Sequence, residues 1–368
     1  MQRTKTLNNH LFHLLQIAIG NRKELTRQLT NDEWEFLYNA SKKQAVPGIA
    51  FVGIMKLPKE QLPSSDLIEK WKQKALRARE RNNSYNRKYN EIRNIFDVNG
   101  FASCFVMGQS NLAYYPENLK DYRSAREFDV LCWKKEQEMD KCDIIEYVNF
   151  LYLSSSKHIK PKVVYHHVDW DNVSIPVDVR MKISYFNTPW HDRRFQKWLN
   201  DNISSSNSEY GFPIASTYFN VVYQMVHLHR HLFCEGISLN QLLDYYFVLK
   251  SFRDKSIGGE IRDERLEIMR VIDSFGMRSF AYGVMYVLQN VFAMSDEYLL
   301  YAPNKRSGKF VLSMTMRPDY AIESGRHNSI KRLKSVKRIF TWFNRNWRFL
   351  PQYPWEVFFD LYKRILVS

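Results

Sequence analysis

The stretch Val106-Met107-Gly108-Gln109-Ser110, with Glu127-Phe128-Asp129 starting nineteen residues after its glycine, decides how this chain folds. Residues 101–106 (FASCFV) are almost continuously apolar, as in a strand buried on both faces. Gly108 makes a turn, and residues 110–115 read as a short helix. Residues 126–133 (REFDVLCW) read as the next strand. Side chains alternate along a strand, so Glu127 and Asp129 share one face while Phe128 and Val130 take the core side. Two adjacent carboxylates repel, and a divalent cation relieves the repulsion. Magnesium takes hard oxygen ligands, a few carboxylates together with substrate phosphates. A solvated edge strand carries the same acid-x-acid step, so the surroundings must support the assignment.

Downstream, a helix is expected over about 136–153, then strands at 162–168 (KVVYHHV) and 174–180 (SIPVDVR), joined by a turn at 169–172. In the second strand Ile175, Val177 and Val179 face one way and Asp178 and Arg180 the other, which brings a third carboxylate to the pair. His166 and His167 are strand neighbours, so one faces the core and one the site. Upstream, residues 5–100 read as helical. Leu7, Leu11, Leu14, Leu15 and Ala18 share a face, Thr30 and Glu33 form a capping box, and a long helix runs to about 97. The polar, basic middle of that helix (77–87) reads as a solvated bridge between two packed ends. Residues 204–213 are polar, end in proline and read as a flexible boundary. Helices are expected beyond it at about 214–234, 238–253, 259–275, 277–293 and 353–366. The division is a helical region over 1–100, an α/β core over 101–202 and an all-α domain over 203–368, an α+β class overall.

Lys+Arg number 54 against 39 Asp+Glu, a formal charge of +15. That excess suits an anionic partner such as a nucleotide, a nucleic acid, a phosphorylated sugar or an acidic membrane face, without choosing among them. Cys104, Cys132, Cys142 and Cys234 form no C-x-x-C pair and fit buried thiols in a reducing compartment. No stretch approaches the ~18 apolar residues of a membrane span, and the N-terminus has no signal-peptide pattern; a cytoplasmic protein is expected.

With these pieces in order, the chain resembles a family of uncharacterised bacterial nucleotidyltransferases of Bacteroides-type genomes, within the polymerase-beta-type superfamily. The resemblance rests on the segments GIAFVGIMKLP (48–58), MGQSNLAYYP (107–116), the Glu127-Phe128-Asp129 strand, Tyr165-His166-His167 with its VDV partner, HRHLFCEGISLNQLLDYY (229–246) and Tyr353-Pro354-Trp355-Glu356. It implies a nucleotidyltransferase-type mixed sheet flanked by helices. The activity implied is Mg2+-dependent transfer of a nucleoside monophosphate from a triphosphate to a hydroxyl of a small, sugar-type acceptor. Glu127, Asp129 and Asp178 would be the catalytic carboxylates and hold a two-ion site. Gly108, Gln109 and Ser110 would cradle the phosphates at a helix start, and Arg180 would add a cation.

Three departures bear on activity. Met107 stands where the family usually has lysine, Arg126-Glu127-Phe128-Asp129 replaces G-D-x-D, and Asp178 with Arg180 replaces a glutamate and a histidine. A catalytically impaired nucleotide-binding or regulatory protein on the same fold is therefore the alternative, with an RNA- or protein-directed transferase as a third reading that rests on charge alone.

Arg230, His231 and Glu235 are expected to face the sheet across a cleft together with His167, and Asp244 to partner one of those cations. His227 and His231 have the i, i+4 spacing of a zinc helix, but Leu228 stands where a water-activating glutamate belongs. Tyr114 and Tyr115 read as core. The basic run 331–343 reads as a solvated helix face, with anionic lipid or nucleic acid as the functional alternative.

Overall fold

The computed structural model of the chain describes residues 2–98, 100–124, 128–134, 162–164, 167–170, 177–180, 184–203, 206–207, 214–234, 236–255, 261–317 and 346–366. The helix expected over 136–153 and the basic run 331–343 lie outside them.

Four helices come first: α1 (Gln2–Ile19), α2 (Asn31–Lys43), α3 (Pro47–Met55) and α4 (Ser65–Val98). The Leu7, Leu11, Leu14, Leu15 and Ala18 face of α1 is buried. The α2 capping box is reciprocal: the Thr30 hydroxyl accepts from the Glu33 N–H, and the Glu33 carboxylate accepts from the Thr30 N–H. Two glycines set the path of α3. A Cβ on Gly53 would stand 2.2 Å from the Leu14 carbonyl oxygen of α1, and one on Gly48 would stand 2.3 Å from the Tyr122 carbonyl oxygen. The GIAFVGI segment is thus a helix that touches backbone on two sides.

The middle of α4 is largely exposed, as expected of a solvated bridge, but Asn82 departs from that reading. Asn82 is 1% exposed and its amide donates to the carbonyls of Lys120 (3.1 Å), Asp121 (3.0 Å) and Arg123 (2.9 Å). Asn86 accepts from Gln109 at 2.7 Å, and Arg79 pairs with Asp121 at 3.3 Å. Arg79, Asn82 and Asn86 thus bind the chain that follows the glycine turn.

Among the described residues the sheet has seven strands, β1 (Phe101–Phe105), β2 (Phe128–Lys134), β3 (Lys162–Val164), β4 (His167–Trp170), β5 (Val177–Arg180), β6 (Ser206–Asn207) and β7 (Ile214–Ala215), in the order β3-β4-β5-β2-β1-β7-β6. β2 runs parallel to β5 and β1 to β7; the other neighbours are antiparallel, so the sheet is mixed. Two expectations change. The strand expected over 162–168 is two strands that reverse between Val164 and His167, which pair directly. Asp169 and Trp170, expected in a turn, belong to β4 and pair with Asp178 and Val177. Within the segment expected as a boundary, Ser206–Asn207 form β6, which adds to the sheet through β7; 204–205 and 208–213 lie outside the described residues.

The remaining helices are α5 (Glu117–Lys120), α6 (Pro189–Asn202), α7 (Thr217–Cys234), α8 (Leu239–Lys255), α9 (Ile261–Ser274), α10 (Arg278–Phe292), α11 (Lys305–Thr315) and α12 (Pro354–Leu366). One continuous core joins α1–α4, the sheet and these helices. Buried polar bonds tie the two ends of the chain together. Gln16 donates to the Val291 carbonyl at 3.0 Å, and Gln44 donates to the Thr315 carbonyl at 2.9 Å while accepting from the Leu239 N–H. No helix among the described residues is long and apolar enough to cross a membrane.

Candidate functional site

The glycine turn leaves β1 opposite the start of β2. Phe105 pairs with Val130, and the Val106 N–H donates to the Asp129 carbonyl at 3.0 Å, so turn and acid strand are hydrogen-bonded neighbours. Met107 (φ 59°, ψ −164°) and Gly108 (φ 51°) then both take positive φ. Gly108 does this freely. A methionine in that region is strained by roughly 1–3 kcal/mol and persists only where its surroundings hold it. The Met107 side chain is 5% exposed and sits in the core, so it offers no charge to a ligand. Residues Gly108–Tyr114 form a 3-10 helix, tighter than expected and starting two residues earlier. The Ser110 N–H and hydroxyl both donate to the Met107 carbonyl, at 2.9 and 2.8 Å. Gln109 is buried with its amide turned to Asn86 on α4.

The acids come together through register. Asp129 of β2 pairs with Asp178 of β5, and Asp178 pairs with Asp169 of β4. Paired residues lie on neighbouring strands about 4.8 Å apart. Asp169, Asp178 and Asp129 therefore form one row across three adjacent strands. One residue on, Val168, Val179, Val130 and Phe105 form the next register row, in which Val130 and Phe105 are fully buried. Asp129 itself is 7% exposed. Arg180 pairs with His167 and Leu131, two register positions beyond Asp178. Glu127, Arg126 and Glu235 lie outside the described residues. Among the described residues no three His, Cys, Asp or Glu converge as metal ligands, and that applies also to the histidines of α7.

On α7 the candidates part company. Arg230 is half-buried, lies 3.7 Å over the Tyr185 ring and donates to the Tyr185 hydroxyl. Lys363 of α12 approaches the same ring at 5.5 Å. His231 is half-buried with its ring 4.2 Å from that of His227. His229 points into a cluster of Phe186, Phe233, Phe280 and Tyr353. Burial, helped by the nearby His191, pushes its imidazole down to about 3, so it is neutral.

Asp244 does not partner Arg230 or His231. It is 1% exposed and takes Arg123 in a two-pronged ion pair, Nε to Oδ1 at 2.7 Å and the terminal nitrogen to Oδ2 at 2.6 Å. The Tyr115 hydroxyl donates to Oδ1 at 2.7 Å. Further bonds run from α7 to the same segment: Gln224 donates to Asn111 at 2.6 Å and Asn220 to the Tyr114 hydroxyl at 2.8 Å. Sequence reasoning missed Asp169 and the partners of this network. Asp169 sits in Asp-Trp-Asp-Asn, a turn composition, and only the period-two continuation Val168-Asp169-Trp170 marks it as strand.

The sequence profile of a family described as "Uncharacterised nucleotidyltransferase" matches residues 30–292, most of the chain. That span takes in α2 to α10, the turn and the acid row. No curated protein and no solved structure matches the chain significantly.

Proposed function

The chain belongs to the uncharacterised nucleotidyltransferase family, and from that premise we propose that it moves a nucleoside monophosphate from a nucleoside triphosphate to a hydroxyl of a small, sugar-type acceptor with the aid of Mg2+. The observation that carries this reading is the pairing of Asp129 with Asp178 on parallel strands beside the Met107–Gly108 turn. A row of carboxylates, one of them nearly buried, is a hard-oxygen donor set that suits Mg2+. When bound, the metal would neutralise phosphate charge and favour the alkoxide form of the acceptor.

The chain's own groups have four tasks. Asp129, Asp178 and Glu127 hold the metal, and the backbone of the Met107–Gly108 turn receives the polyphosphate. Arg180 supplies the cation that Met107 lacks. Asp178 takes the acceptor's proton as its oxygen bonds to the α-phosphorus and the bond to the pyrophosphate oxygen breaks. Positioning and charge stabilisation make up most of such a reaction.

Met107 favours a second reading, a protein that binds the nucleotide without turning it over, because its buried thioether replaces a phosphate-binding cation. Thermal unfolding with each nucleoside triphosphate, with and without Mg2+, separates the two. Ligand at about a hundred times its dissociation constant stabilises by about 2.7 kcal/mol. The transferase reading expects a Mg2+-dependent shift that Asp129→Asn abolishes, and pyrophosphate release in cell extract. A shift indifferent to Mg2+ and to Asp129→Asn supports the binder, and no shift with any triphosphate refutes both.

A further inference from the structure

We propose that the buried Arg123–Asp244–Tyr115 unit is a positioning device that holds the Met107–Gly108 turn in its strained, ligand-ready shape, acting from the helical shell on the residues just after the turn. The proposal builds on the reading of that turn as the triphosphate site. Four observations converge on it.

The turn does not hold itself. Met107 occupies a conformation that needs outside support, and the local bonds of Ser110 return only to Met107. The support comes from three helices and lands on one short segment, 109–123. From α4, Asn86 takes Gln109 and Asn82 takes the carbonyls of Lys120, Asp121 and Arg123. From α7, Gln224 and Asn220 take Asn111 and Tyr114. From α8, Asp244 takes Tyr115 and Arg123 together.

The chemistry of the α8 contact is unusual for mere adhesion. Arg123 and Asp244 are 4% and 1% exposed. A buried ion pair gains little over well-packed apolar side chains, because desolvation offsets the attraction. What it supplies is direction: both carboxylate oxygens and three donors must meet in one geometry. Two of those donors come from Arg123 and one from Tyr115, the residue that ends the 3-10 helix of the turn. A register error between the turn segment and α8 would therefore break all three bonds at once.

The test separates positioning from stability. In the full chain, Tyr115→Phe, Arg123→Met and Asp244→Leu together replace the polar unit by an apolar one of similar volume. Gln224→Met alone removes a second anchor. Amide hydrogen exchange without nucleotide reads the turn directly. The proposal expects exchange over 106–112 at least tenfold faster in both variants, with the helices α1 and α10 unchanged. Titration with Mg2+ and ATP, GTP, CTP or UTP should show affinity at least tenfold weaker in the triple variant even where its melting temperature equals that of the wild type. Unchanged exchange over 106–112 in a folded triple variant overturns the proposal. If the triple variant does not fold, Tyr115→Phe alone, which removes one bond of the unit, decides on the same criterion. A wild-type chain that binds none of the four triphosphates overturns the nucleotide reading, and the exchange result still decides the positioning role.

Discussion

His229 gives the chain a pH-dependent stability whose size can be worked out. The ring is 4% exposed, packed against Phe233 at 5.0 Å and Phe280 at 5.2 Å, and burial holds it neutral down to about pH 3. In the unfolded chain it titrates near the ordinary value of 6.5. Between those two values the unfolded state binds one more proton than the folded state, so stability must rise with pH across that window. It is complete above 6.5 and lost as pH falls towards 3. At pH 5.0 the gap of about 1.5 units, at about 1.36 kcal/mol per unit, removes about 2 kcal/mol relative to pH 7.5. That figure is insensitive to the folded value so long as the ring stays neutral at pH 5. The perturbation is His229→Phe, which keeps a ring among rings and removes the titration. Urea unfolding at pH 7.5 and 5.0 gives four stabilities, and the difference of differences should be about 2 kcal/mol in favour of the variant at the lower pH. Other groups, including His13 held down to about 4 by burial, titrate in both proteins and cancel. Parallel pH profiles for the two proteins would show that His229 is solvated or already paired when protonated, and the argument from burial would be wrong.

Gly53→Ala places a methyl 2.2 Å from the Leu14 carbonyl oxygen, so α1 and α3 must separate. A loss at the upper end of the roughly 1–3 kcal/mol typical of overpacking, or beyond it, is expected in urea unfolding. Asn82→Asp should be worse than Asn82→Ala, because a carboxylate has no donor for the three carbonyls that the amide serves. Equal melting temperatures for the two variants would show that a carboxylate facing those carbonyls costs nothing, against this reasoning. Asp129→Asn should leave the melting temperature without nucleotide close to that of the wild type and remove the Mg2+-dependent part of the triphosphate response, as read in the thermal unfolding series.

Much of the helical shell was legible because its signals are local. The Thr30–Glu33 capping box, the leucine face of α1 and the helices α7 to α10 all follow from period and punctuation within one element. The strands were harder. KVVYHHV contains no glycine, proline, asparagine or aspartate where the chain reverses after Val164, whereas Asp169-Trp170-Asp171-Asn172 has the composition of a turn and yet begins inside β4. Turn chemistry is a statistical preference, and cross-strand pairing overrode it. Asn82 in the middle of α4 was hidden for another reason. A polar face reads as solvated until something polar packs on it, and the partner here lies about forty residues on in sequence, where Asn82 meets Arg123.

The candidate site divides along the same line. Alternation within each strand puts Asp129 and Asp178 forward as candidates for one site. Their adjacency needed the parallel register of β2 and β5, which no local pattern encodes. The reassignment of Asp244 is the sharper case. Its helix and its burial follow from the sequence, but its partner follows only from where the loop after the turn lands. That landing place gives the helical shell a purpose. A turn that carries a strained methionine needs rigid surroundings, and the sheet supplies them on one side only, through Val106 and Asp129. The other side is supplied by α4, α7 and α8, each contributing at least one buried polar contact to residues 109–123. The family match extends from α2 to α10, well past the sheet, so it covers both the strands that carry the acids and the helices that contact the segment after the turn.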